Sequence, residues 1–150
     1  MATTIQAADL TVTITENIIL NGQPINSENQ LVIEDVNEFD KRLMQIPTTD
    51  EVTVIAFGTS VAAGTFVRGD MKYFRATNKD TVNYARIRVK KDGGQTFDTK
   101  LDAGQSFIMG NAKESVSETA VTFVTFEDAD SINMQAYGSP IDIEYVVASV

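Results

Sequence analysis

Residues 9–23 read DLTVTITENIILNGQ, and their period is two. Leu10, Val12 and Ile14 fall on one side of an extended chain, with Thr11, Thr13 and Thr15 on the other. That alternation is the signature of a half-buried β-strand. Residues 17–20, NIIL, extend this strand or open the next. Asn21-Gly22 then supplies the two residues that most readily take positive φ, so a tight hairpin turn is expected there.

The same period recurs outward from this stretch. After a polar run containing Pro24, QLVIEDV (30–36) is a candidate strand, and EVTVIAF (51–57) is another, apolar on both faces at its centre. MKYFRA, VNYARIRVKK and TFDTKL form a meander with turns at Asn78-Lys79-Asp80 and Asp92-Gly93-Gly94. SFIMG follows, then AVTFVTF, SINMQAY and IDIEYVVASV, the last two separated by Gly138-Ser139-Pro140. Residues 58–70, GTSVAAGTFVRGD, read as a long loop or a bulged edge. Only NEFDKRLMQI has helical spacing: Phe39, Leu43 and Ile46 lie at i, i+4 and i+7, Asn37 is a candidate cap and Pro47 a stop. A short helix near 37–46 is therefore expected, although the same letters fit an irregular strand. Short strands at regular spacing predict an all-β fold. The expectation is one antiparallel β-sandwich domain over 1–150, jelly-roll-like, of about eight or nine strands, with residues 1–9 a candidate N-terminal arm.

Composition narrows the chemistry. The chain of 150 residues has no cysteine and no histidine, so disulfides, thiolate metal sites and Ser-His triads are excluded. No glycine-rich segment ends in Gly-Lys-Ser/Thr, and Gly58, Gly64 and Gly69 do not stand at a strand-to-helix turn, so neither nucleotide-binding fingerprint is present. Nothing singles out a catalytic carboxylate pair, and neither an enzyme nor a cofactor is expected. The start, MATTIQAADLTV, lacks the basic and apolar regions of a signal peptide, and no apolar run reaches the roughly 18 residues of a membrane span. Cytosolic synthesis is the expectation, with no membrane partner.

The net charge of -9 is unevenly distributed. Residues 1–67 carry nine acids and two bases, residues 68–100 nine bases and four acids, and residues 101–150 eight acids and one base. Overall acidity disfavours nucleic acid as a partner. A basic middle between acidic flanks either balances charge inside one domain or meets complementary charge on another copy. In YARIRVK, Ala85, Ile87 and Val89 suit a core. Tyr84, Arg86, Arg88 and Lys90 form a ladder on the other face, spaced about 7 Å apart. These four, with Arg68 and Arg75, are the candidate protein–protein contact residues. Long cations also simply solubilise an exposed sheet. Arg68-Gly69-Asp70 is an ordinary turn tripeptide. Glu127, Asp128 and Asp130 could offer oxygens to a cation but lack the spacing of a dedicated calcium loop, and no metal site is assigned.

Four segments together, LTVTITENIILNGQ, KYFRATNKDTVNYARIRV, KLDAGQSFIMG and DIEYVVASV, give a pattern that resembles small all-β virion structural proteins of tailed bacteriophages. A strand, an Asn-x-Asp turn, a second strand and a Leu-x-x-Gly-Gln step (here Leu101 to Gln105) carry it. The resemblance implies a structural protein with no catalytic residues, most simply a capsid decoration or cement protein. A head-to-tail adaptor or tail component is the same-class alternative. It further implies other virion proteins as partners, homo-oligomerisation and location in the virion after synthesis in the host cytoplasm. The alternative from another class is a soluble carbohydrate- or receptor-binding sandwich, which needs an exposed aromatic platform. The chain has no tryptophan and four tyrosines, of which alternation buries Tyr145.

Overall fold

A computed structural model of the chain describes residues 6–60, 62, 64–91, 96–110, 115–116 and 127–150. The described residues are strands and turns, without a helix. They form thirteen strands, more than the eight or nine expected: β1 (Ala8–Leu20), β2 (Gln23–Val36), β3 (Glu38–Ile46), β4 (Val52–Gly58), β5 (Thr65–Val67), β6 (Met71–Asn78), β7 (Tyr84–Lys90), β8 (Thr96–Leu101), β9 (Ser106–Met109), β10 (Ser115–Val116), β11 (Glu127–Asp128), β12 (Ser131–Tyr137) and β13 (Ile141–Ser149). The excess comes from three short strands, β5, β10 and β11, and from β3.

Two sheets make the body. Sheet I has the order β5-β4-β12-β7-β8 and sheet II the order β3-β13-β6-β9. The antiparallel pairs β3·β13, β4·β12, β6·β9 and β7·β8 nest one inside the next along the sequence. That is a long antiparallel ribbon whose two limbs roll up together, with β13·β6 and β12·β7 closing the roll. Two four-stranded sheets wired in this way are a jelly roll, to which β5 adds a short parallel edge beside β4. The all-β sandwich expected from period two is the fold observed.

The expected helix over 37–46 is instead β3, paired with β13 from Ile141↔Ile46 to Ser149↔Glu38. Its helical spacing was produced by apolar residues on both faces of an edge strand. Ile46 is fully buried, whereas Phe39 and Leu43 stand out from the other face. Loop 58–70 contains β5. The turn Asp92-Gly93-Gly94 and the strand AVTFVTF lie outside the described residues.

Between the sheets lies one apolar core. Ile87, Ile132 and Met134 of sheet I meet Ile46, Phe74, Ile143 and Val147 of sheet II, all without solvent exposure. Tyr145 is buried as alternation required, its ring stacked near Phe74 and its hydroxyl donating to Asp40 Oδ2 at 2.9 Å. A second apolar cluster covers the outside of sheet II, where Tyr73, Val146 and Ala148 receive Ile33 and Val36 from the base of the β1–β2 hairpin. A bulge explains how Ile33 and Val36, of opposite parity, reach the same face. Two residues of β2 oppose one of β1 between Ala8 and Leu10, and Asp35 takes φ 58° to allow it. Strand β13 is thus covered on both sides, which is why VVAS (146–149) has no polar alternation.

Candidate interaction surfaces

The charged ladder takes the predicted face. Ala85, Ile87 and Val89 are buried, and Tyr84, Arg86, Arg88 and Lys90 line the outside of sheet I. What the sequence did not disclose is that the domain supplies most of the counter-charge. Arg86 Nη2 donates to Glu51 Oε2 at 2.7 Å, and Arg88 Nη1 to the same oxygen at 3.1 Å. Arg88 also grips Asp98 in a two-pronged pair, Nε to Oδ1 and Nη2 to Oδ2, each 2.7 Å. Asn133 Nδ2 donates to Glu51 Oε1 at 2.9 Å and so holds that carboxylate in place. The bond from Arg88 holds the Asp98 carboxyl below its ordinary range, and the same bond raises the guanidinium. The other two candidates behave alike. Arg75 Nη2 donates to Glu144 Oε1 at 2.7 Å and lowers that carboxyl, while Arg68 pairs with Asp130. Asp130, offered above as a cation ligand, is also 3.5 Å from Lys91 Nζ. No group of three acids suited to a metal occurs among the described residues.

Five of the six candidates lie on two different surfaces. Tyr84, Arg86 and Arg88 share the outside of sheet I, where the register carries them alongside Lys90. Arg75 sits on the outside of sheet II, and Arg68 joins the β5–β6 link to Asp130. They do not form one patch. The ladder balances charge within the domain, and pairs of this exposure each contribute about 0–1 kcal/mol.

Tyr84 stacks on Tyr137 with ring centroids 4.9 Å apart, and Lys100 Nζ covers Tyr84 at 4.3 Å. An open cleft of about 320 Å³ beside this pair is bordered by Thr48, Arg86 and Gln135. Since Tyr137 is 66% exposed, the pair offers one free ring face to a ligand.

The turn at Asn78–Asp80 and the step from Leu101 to Gln105 meet at one buried side chain. Asn78, 1% exposed, donates through Nδ2 to the carbonyls of Asn83 (2.9 Å) and Leu101 (3.3 Å), and its Oδ1 accepts from the Asp80 amide. Its backbone completes the link, accepting from the Gly104 amide and donating to the Gln105 carbonyl. Asp80 in turn accepts from the amides of Asn83 and Val82, which lower its carboxyl. The motif residues thus serve the fold by tying β6, β7 and β8 together.

The surface that sequence reasoning missed is the β1–β2 hairpin. Its register brings the even residues of β1 and the odd residues of β2 to one face: Leu10 with Ile33, Val12 with Leu31, Ile14 with Asn29, Glu16 with Ser27, Ile18 with Ile25. Thr11, Thr13, Thr15 and Asn17 lie opposite. Asn21 (φ 51°) and Gly22 (φ 76°) make the expected turn. Only the base is packed, however. From Thr13 to Gln30 every residue is exposed, so the ribbon projects by about 25 Å, at roughly 3.3 Å per residue. Ile14, Ile18, Leu20, Ile25 and Leu31 are each about half exposed. Ala8 and Asp9 already belong to β1, and residues 1–5 lie outside the described residues.

No protein-family model, curated protein or solved structure matches the chain.

Proposed function

We propose that this protein is a structural component of a tailed-phage virion that works through protein–protein contacts, most simply as a decoration or cement protein on the outside of the capsid. One observation carries the reading: an all-β body with its charged face balanced internally projects a hairpin whose apolar face is uncovered beyond its base. Exposed apolar area on the order of a few hundred Å² in one strip marks an association surface. Jelly rolls serve capsid proteins among other classes, so the fold by itself supports the proposal only by analogy. A head-to-tail adaptor or tail component is the same-class alternative. The ladder of Tyr84, Arg86, Arg88 and Lys90 loses ground as the main contact, because Glu51 and Asp98 already neutralise much of it.

The stacked Tyr84–Tyr137 pair favours a second reading, a carbohydrate- or receptor-binding sandwich. A single free ring face beside a shallow cleft is a small platform for such a ligand.

The test is mass spectrometry of phage particles purified from cells that carry the gene for this chain. Many copies per particle, lost when residues 13–30 are replaced by a short turn, are expected. Absence of the chain from particles would overturn the proposal.

A further inference from the structure

The apolar face of the hairpin continues past the edge of the sheet that its base covers. Leu10, Val12 and Ile33 pack on sheet II, and the same face runs on through Ile14, Ile18 and Ile25 with nothing beneath it. Its charge is one-sided. Residues 8–36 contain Asp9, Glu16, Glu28, Glu34 and Asp35 and no lysine or arginine. Two such arms laid face to face would oppose Glu16 to Glu16 without a cation on either, which disfavours arm-to-arm pairing.

The body carries a surface of matching pattern. On the outer face of β3, Phe39, Lys41 and Leu43 follow one another at every second residue, with Phe39 54% and Leu43 69% exposed. On β1 the projecting sequence is Ile14, Glu16, Ile18, again at every second residue. Apolar–acid–apolar on the arm thus faces apolar–cation–apolar on the body, each strip about 13 Å long. Lys41 can turn to a new carboxylate. It lies 3.4 Å from Glu144 Oε2 with its side chain 58% exposed, while Arg75 holds the other oxygen of Glu144 at 2.7 Å. Beside Phe39 an open cleft of about 510 Å³, bordered by Leu10, Val36 and Glu38, leaves room for an entering aliphatic side chain.

We propose that the hairpin of one copy docks on the β3 face of a second copy, with Ile14 and Ile18 against Phe39 and Leu43 and Glu16 paired with Lys41. This rests on the assembly reading in taking a repeated copy as the partner. The two surfaces differ, so the contact is head-to-tail. It closes into a ring if the rotation between copies permits and otherwise extends as a filament. The same chemistry that fastens the arm's base to its own sheet II then fastens its tip to a neighbour's.

Light scattering on the purified full chain over a concentration series at low salt tests this. Wild type is expected to gain mass with concentration. Glu16→Lys and Lys41→Glu, both at exposed positions, are each expected to raise the concentration of half-association by at least about tenfold. The double variant Glu16→Lys/Lys41→Glu should restore it, as should mixing the two single variants. Circular dichroism confirms that each variant is folded. Wild type that is monomeric throughout overturns the proposal, as does association indifferent to Lys41→Glu, which would place the arms against each other. A double variant that stays dissociated also overturns the pairing. If the chain is nevertheless found in particles, the assembly reading stands without this contact.

Discussion

Asn78 Nδ2 donates to the backbone carbonyl of Asn83 at 2.9 Å, five residues ahead of it and across a turn into the opposite sheet. The same amide reaches Leu101, so one side chain joins three strands at one end of the roll. Asn78→Ala leaves two carbonyls and the Asp80 amide without this partner. A loss of about 2–3 kcal/mol is expected, read as a lower urea midpoint with an unchanged slope. A loss below about 0.5 kcal/mol would show that water replaces the amide and that the knot is dispensable.

Gly138 lies at the other wall of this knot, between β12 and β13, with φ 90°. An added Cβ would stand 2.6 Å from Asn83 Oδ1. The Asn83 side chain can swing away, but the backbone angle remains unfavourable for any L side chain. Gly138→Ala should therefore cost about 1–3 kcal/mol. Thermal unfolding of this variant at the wild-type temperature would refute the constraint.

Acid should weaken the fold through identifiable groups. Asp98, Glu144 and Asp80 all have carboxyls held low, by Arg88, by Arg75 and by the amides of Asn83 and Val82 respectively. Each binds its proton less readily folded than unfolded. The stability they contribute is complete above the unfolded values of about 3.9 to 4.3 and fades as pH falls through the lower folded ones. Urea midpoints are expected to be level from pH 7 to about 5 and to drop below about 4. Removing the guanidinium in Arg88→Ala should return Asp98 toward the ordinary carboxylate range in an NMR titration. An unmoved Asp98 would mean that the two-pronged pair is not formed in solution.

The projecting ribbon is bonded only across its own two strands, and an isolated two-stranded hairpin is marginal in water. In dilute protein, amides of residues 13–30 should exchange with solvent about 100-fold faster than those of β12 and β13, or faster still. Equal protection would mean that the apolar face is already covered in the free protein.

Alternation exposes a strand's two faces but not what lies against them. For β7 this is enough: Ala85, Ile87 and Val89 suit a core by alternation and are buried there. For β1 the identical signal holds for Leu10 and Val12, which pack on sheet II, and misleads from Ile14 onward, where the strand runs past the sheet that its base covers. The edge strand β3 defeated the reading differently. Phe39 and Leu43 outside and Ile46 inside imitate a helix when the two faces are not separated. The ladder's partners were invisible because Glu51 and Asp98 are 35 and 10 residues away from the arginines that they neutralise. The Asn78–Asp80 turn and the Leu101–Gln105 step are conspicuous in the sequence, and their residues prove to be fasteners of the roll.

The nested wiring of the roll also governs how the protein can be made. Strand β13 occupies the centre of sheet II, and its first partner, β3, is about a hundred residues upstream, with Ser149 paired to Glu38. A ribosome releasing the chain from the N-terminus therefore presents β3, β6 and most of the core residues before the strand that unites them exists. Such long-range pairing is slow, on the order of milliseconds to seconds. During that interval the nascent apolar faces depend on the acidity of the sequence for solubility. A chain stopped short at Tyr137 has every earlier strand but lacks the one that pairs with both β3 and β6, and sheet II is expected to stay open in it.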